Sequence, residues 1–276
     1  MNMVCKGILA GASGLAALFL TQMPVWAGSD AERIAEMQKT GGCPRCDLRL
    51  AELRFMNFEG GDFSRANLRE ADMKEAVLPQ TNFMRADFRR TEAERADFRG
   101  SDFSDASMRS VDLEKASLRD ATLAGADLRD ADLNASIIAG AVFDGADLRH
   151  AMLVRAVGPG SSFAGAKLDG ANLERIDLQN ASFKNARLRD AKLDRARAVN
   201  ADFSGADLSG VRFVSADLSG ANLTNTDFEG ALLRNTRLVG ADLTGAANLD
   251  QDRILNACGD DTTKLPRGIT LMTCSE

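Results

Sequence analysis

Residues 121–135 read Ala121-Thr122-Leu123-Ala124-Gly125-Ala126-Asp127-Leu128-Arg129-Asp130-Ala131-Asp132-Leu133-Asn134-Ala135. A large apolar residue returns at every fifth position, with Ala two places before it. Outward from this stretch the beat keeps its phase from Leu48 to Leu243. Of 40 positions in steps of five, 22 are Leu and 12 are Phe, and only Met73, Ala93, Met108, Ile138, Gly158 and Ala198 depart. An amphipathic helix repeats near 3.6 residues and a strand at 2, so neither produces this period. The chain reads as a solenoid, in which each coil buries its apolar residues against the next.

A longer period fixes the size of one coil. Phe63, Phe83, Phe103, Phe143, Phe163, Phe183 and Phe203 stand 20 residues apart, interrupted only by Leu123. Four five-residue units therefore make one turn, and the rings of successive coils should stack along the axis with offset packing beyond burial alone. Each buried Leu or Phe contributes roughly 1.5–3 kcal/mol, which gives the chain a core despite ordinary overall hydrophobicity. Parallel backbone ladders at about 4.8 Å per coil predict a rod on the order of 50 Å long.

Units such as Ala126-Asp127-Leu128-Arg129-Asp130 and Ala206-Asp207-Leu208-Ser209-Gly210 resemble the pentapeptide-repeat family, whose pattern is Ala-(Asp or Asn)-(Leu or Phe)-x-x. The resemblance extends over residues 47–247. It implies an all-β fold, a right-handed quadrilateral parallel β-helix of about ten coils. No single activity is implied, because one scaffold carries many roles. Some members mimic duplex DNA and act on DNA gyrase. They resemble this chain in repeat and acidity, but they work in the cytosol.

Both ends carry separate information. Lys6 precedes an uncharged apolar stretch, residues 7–20, and Pro24-Val25-Trp26-Ala27 ends on small residues that suit a signal peptidase. Residues 1–27 read as a secretory signal peptide cleaved after Ala27, leaving a periplasmic or secreted chain with no transmembrane span. The alternative, an uncleaved anchor, has too short an apolar stretch for a membrane span. Cys5 lies before that stretch and is misplaced for lipoprotein processing. Cleavage removes Lys6 alone among charged residues, so the formal charge goes from -6 to -7.

Residues 28–46 read as an N-terminal cap. Ser29 and Glu32 form a capping box, Gly41-Gly42 stops a helix over residues 29–39, and Ile34 and Met37 share its apolar side. Residues 248–276 read as a C-terminal cap, with a helical pattern over residues 250–257 where the five-residue phase breaks. Such lids cover the open backbone edges and apolar cross-section of a solenoid. The segment after Cys258 is similar to the C-terminal extension of many bacterial pentapeptide-repeat proteins. Four cysteines remain after cleavage, an even number that suits disulfides in an exported chain. Sequence neighbourhood pairs Cys43 with Cys46 and Cys258 with Cys274, since a rod holds its ends beyond disulfide reach.

Catalytic parts are scarce. Cys43-Pro44-Arg45-Cys46 has thiol-disulfide spacing but runs straight into the first repeat, without the strand and helix that activate a thiolate. Structural stapling is the preferred reading and redox activity the alternative. A zinc site would need two more ligands, and Cys258 and Cys274 belong to the far end. His150, the only histidine, occupies an outward position. The Asp and Gly residues follow the repeat phase, with no phosphate-cradling loop. A filled axis leaves no pocket. No cofactor, metal or enzymatic activity is expected.

Surface columns are more informative. Arg49, Arg69, Arg89, Arg109, Arg129 and Arg149 each follow a centre at spacing 20, and Asp169 then Arg189 continue the column. Six arginines on one face form a candidate docking face for an acidic protein or anionic envelope component. The opposing reading is internal compensation, because Asp87, Asp127 and Asp147 lie two residues before Arg89, Arg129 and Arg149, and Lys167 accompanies Asp169. Gly158 and Ala198, small residues where centres should be large, mark a candidate surface dent. Nucleic acid is not an expected partner, since pI is near 5.1 and the mature chain has neither Tyr nor Trp for stacking. These features lead to an exported, non-enzymatic scaffold, a monomer or weak homodimer, that presents an interaction surface.

Overall fold

In the computed structural model, residues 30–274 are described. The expected signal peptide, its cleavage after Ala27, Cys5, Trp26 and the Ser29 cap lie outside them. Parallel bridges join residues 20 apart, from Gly42 with Asp62 through to Asp227 with Ala247. Each side of a coil contributes one bridge residue and then turns, so the ladders are long across coils and only one residue wide along the chain.

One unit shows how the sequence achieves this. Leu128 N–H donates to Asp147 O at 2.8 Å and Asp147 N–H donates to Ala126 O at 2.9 Å, which locks one coil to the next. Ala131 N–H donates to Leu128 O at 3.1 Å, closing the turn. The residue two after each centre takes the left-handed conformation, as at Asp130 with φ 59° and Gly125 with φ 68°. That explains the Gly, Asn and Asp found at many of these corners. The Asp before a centre has a specific task as well. Its carboxylate accepts the backbone N–H two residues on, as from Asn134 to Asp132 at 2.8 Å and from Glu114 to Asp112 at 2.9 Å. Where Thr or Ser replaces the buried Ala, its hydroxyl finds a carbonyl: Thr91 donates to Leu68 O and Thr236 to Phe213 O.

Leu, Phe and Ala fill the axis. Phe143, Phe163, Phe183 and Phe203 stack with centroids 4.8 Å apart at each step and planes within 8°. Phe83 stacks on Phe103 at 4.9 Å, while Phe88 and Phe98 meet them edge-on.

Helix α1, Asp30–Thr40, precedes the first coil. Met37 is buried in the core and Ile34 packs against it. Gly41 at φ 79° and Gly42 at φ 127° end the helix, with Gly42 N–H donating to Met37 O at 2.9 Å. A Cβ on Gly42 would stand 2.3 Å from Asp62 O, so this close approach admits only glycine.

The other end corrects the expectation of a helix over residues 250–257: only a 3-10 turn, Gln251–Arg253, forms. The physical reason lies in the carbonyls. Leu233, Asn235 and Leu238 N–H groups donate to Arg253, Leu255 and Cys258 O, so a helix would withdraw acceptors that the preceding coil needs. The chain instead continues its coil with residues inserted, and the bridge spacing grows to Arg237 with Cys258 and Asp242 with Lys264. Strand β1, Cys258–Gly259, then pairs in parallel with β2, Met272–Thr273. Ile254 and Ala257 are buried, and Leu265, Ile269 and Leu271 pack partly buried against the core. Disulfides join Cys43 to Cys46 and Cys258 to Cys274, one at each end. Among the described residues, no helix is long and apolar enough to cross a membrane.

Candidate interaction faces

The arginine column is compensated. Arg49 bonds Asp47 at 2.6 Å, Arg149 bonds Asp147 at 2.7 Å, and Arg89 and Arg129 pair with Asp87 and Asp127. Arg69 turns to Glu70 at 3.1 Å, and Arg109 lies 4.0 Å from Asp130. Where the column becomes Asp169, its partner is Arg187 at 2.6 Å, from the next coil, rather than the expected Lys167. The face expected to be open to an anionic partner thus carries alternating, neutralised charge. Exposed pairs of this kind contribute little to stability, because water and salt screen them.

The carboxylates register the pairing. Hydrogen bonds from the Arg129 side chain hold the Asp127 carboxyl below its ordinary range against the opposing effect of burial. Burial pushes the Asp87, Asp147 and Asp207 carboxyls up, yet hydrogen bonds and nearby arginine charge bring each below its ordinary value. At the C-terminal end, Lys264 and Thr244 lower Asp242 to about 2. Thr262, Thr263 and Gly240 N–H likewise lower Asp260 to about 2. Asp112 moves the other way, raised by burial and by Asp132. A carboxyl whose folded pKa is depressed contributes stability that is present above its unfolded value and lost as pH falls through the folded one. The melting temperature should therefore fall as pH drops from 3.8 toward about 2. Amides over residues 240–264 should lose hydrogen-exchange protection before those around Phe163. A flat melting temperature across that window would contradict the assignment.

Gly158 and Ala198 face the core rather than the surface. Both are buried, and a Cβ at Gly158 would stand 2.8 Å from Ile138 Cγ1. Ile138 from the previous coil occupies the space of the missing centre, which corrects the expectation of a dent. Cys43 and Cys46 are bonded and buried at the first coil, and His150 is exposed at a corner.

A corner column two residues after a centre went unread in the sequence. Arg155, Arg175 and Arg195 stand on successive rungs at φ 61°, 60° and 59°, all exposed. None forms an ion pair among the described residues. Two neighbouring acids are engaged elsewhere, Asp194 by Arg212 at 2.6 Å and Asp177 by Arg197 at 3.8 Å. Like charges about 5 Å apart repel by roughly 0.8 kcal/mol even in water, and a left-handed L-residue costs about 1–2 kcal/mol. Long cations take this conformation at other corners too, among them Arg65, Arg85, Arg90 and Arg95. Counting the spacing of 20 from every position in the unit, not only from the one after the centre, would have found the column. Next to this column runs a shallow groove lined by Glu114, Lys115, Asn134, Ala135, Val154, Arg155, Glu174 and Arg175, in which Glu114 is paired with Lys115 at 2.5 Å.

The family model for pentapeptide repeats matches in eight copies, most of them overlapping, from residues 46–83 to residues 212–246, together spanning well over half of the chain. The chain belongs to the pentapeptide-repeat family. Similar solved members of the family include HetL from Nostoc sp. PCC 7120, described as involved in heterocyst differentiation regulation. It is 28% identical, with 85% of this chain and 98% of that one covered and a TM-score of 0.46. A pentapeptide-repeat protein from the Arabidopsis thaliana thylakoid lumen is 32% identical, covering 42% and 69%, with a TM-score of 0.27. QnrB1, a plasmid-mediated fluoroquinolone resistance protein, is 18% identical, covering 67% and 92%, with a TM-score of 0.39. Comparison with curated protein sequences finds no match.

Proposed function

We propose that this pentapeptide-repeat protein is an exported, non-enzymatic scaffold: a right-handed, four-sided β-helix of about ten coils, capped at both ends, that presents an interaction surface in the periplasm or outside the cell. The observation that carries the reading is the filled axis. Its inward positions hold packed Leu, Phe and Ala, so recognition belongs to the outer faces. The signal-peptide pattern and the disulfides at both ends support the compartment. Duplex-DNA mimicry calls for sustained negative potential, and the neutralised arginine face weighs against it. The reading is tested by the intact mass of native protein from fractionated cells, alkylated with and without prior reduction. A periplasmic species beginning at Gly28, alkylated only after reduction, is expected. A cytosolic full-length species with reactive thiols would overturn export and make gyrase supercoiling the next assay.

A further inference from the structure

We propose that the corner built by Arg155, Arg175 and Arg195 seats an acidic amphipathic helix of a partner protein. This rests on the scaffold reading above but not on export. Charge favours this occupant. The column along Arg49 to Arg149 finds acids within the chain, whereas these three exposed guanidinium groups have no acid in ion-pair contact among the described residues. A partner that brings carboxylates would complete them with bidentate bonds.

Spacing favours a helix. Backbone bonds from Arg155 N–H to Glu174 O at 3.0 Å and from Arg175 N–H to Asp194 O at 2.9 Å fix the three residues on adjacent rungs. Rungs about 4.8 Å apart set the outer pair about 10 Å from each other. Carboxylates at i, i+3 and i+7 of a helix rise by about 4.5 and 10.5 Å, close to that step. Same-side carboxylates of an extended peptide advance about 6.6 Å each and fall out of register by the third.

Apolar surface lies beside the row. Met152 and Val157 are 38% and 42% exposed on either side of Arg155. Val154 lies between Met152 and Arg155, and Ile137 is the bridge partner of Val157. Ala135, between Lys115 and Arg155 in the corner column, lines the adjoining groove together with Val154. A helix with one acidic and one apolar stripe fits both parts, and Met with Arg is the composition that interface cores favour.

The test uses the mature chain and a labelled, five-turn synthetic peptide with a Glu stripe beside a Leu stripe, its helicity confirmed by circular dichroism and its binding followed by fluorescence anisotropy. Arg175→Glu should weaken binding by at least about tenfold. The pair Met152→Ser and Val157→Ser should weaken it by about fivefold. Arg89→Glu with Arg129→Glu, on the compensated face, should change it by less than about twofold. Unchanged melting temperatures show that each variant is folded. The proposal is overturned if Arg175→Glu has no effect, if a proline-interrupted peptide of the same composition binds equally well, or if polygalacturonate of equal charge displaces the helix fully. Absence of binding by the helical peptide overturns it too, and leaves the scaffold reading to its own fractionation test.

Discussion

Phe163→Ala should lower the free energy of unfolding by about 3–5 kcal/mol. The ring is fully buried and stacked on both sides, 4.8 Å from Phe143 and 4.8 Å from Phe183. Truncation removes its buried surface and also leaves a cavity on the axis. The coils above and below are held by bridges such as Val142 with Ser162 and Ser162 with Ser182, so they cannot close over the gap. Urea titration followed by far-ultraviolet circular dichroism reads the loss directly. A value below about 1 kcal/mol would mean that the site collapses without penalty and that the stack does not hold the coils.

Replacing both Cys258 and Cys274 by Ser should cost about 3 kcal/mol, the loop-closure value for a bridge spanning a sequence separation of 16. The effect should be local. The bridge holds β2 on β1, through Cys274 N–H to Gly259 O at 2.9 Å, and so keeps Leu265, Ile269 and Leu271 over the last coil. Hydrogen exchange should therefore rise first in residues 258–274 and then in the coil beneath, while α1 and the first coils keep their protection. Uniform exchange across the rod would contradict a lid role, because a solenoid transmits stability chiefly between neighbours.

The fold was legible where the repeat is strict. Leu48 to Leu243 declared the coil, the Phe column declared its size, and Met37 with Gly41-Gly42 marked a helix before the first coil and its end. The C-terminal segment was not legible, because residues 250–257 have a helical pattern while their carbonyls are committed to the coil before them. That commitment is a long-range fact. Gly158 misled for a similar reason: Ile138, 20 residues earlier, fills its place. The role of Asp before each centre was visible only as polarity until the Asx bonds to the backbone two residues on were seen. On the surface, pairing by Asp two residues earlier was readable at Arg89, Arg129 and Arg149, whereas the cross-coil pair of Asp169 with Arg187 was not.

The continuous stack is the claim on which the surface account depends, and one distance tests it. Ser64→Cys and Ser204→Cys, in a chain with Cys5→Ser, place spin labels on the same side, seven rungs apart by the spacing of 20, while Cys43, Cys46, Cys258 and Cys274 are held in disulfides. Double electron–electron resonance should give one narrow distribution near about 34 Å, seven steps of about 4.8 Å. A broad distribution, or a distance shorter by more than about two rungs, would contradict an unbroken parallel stack.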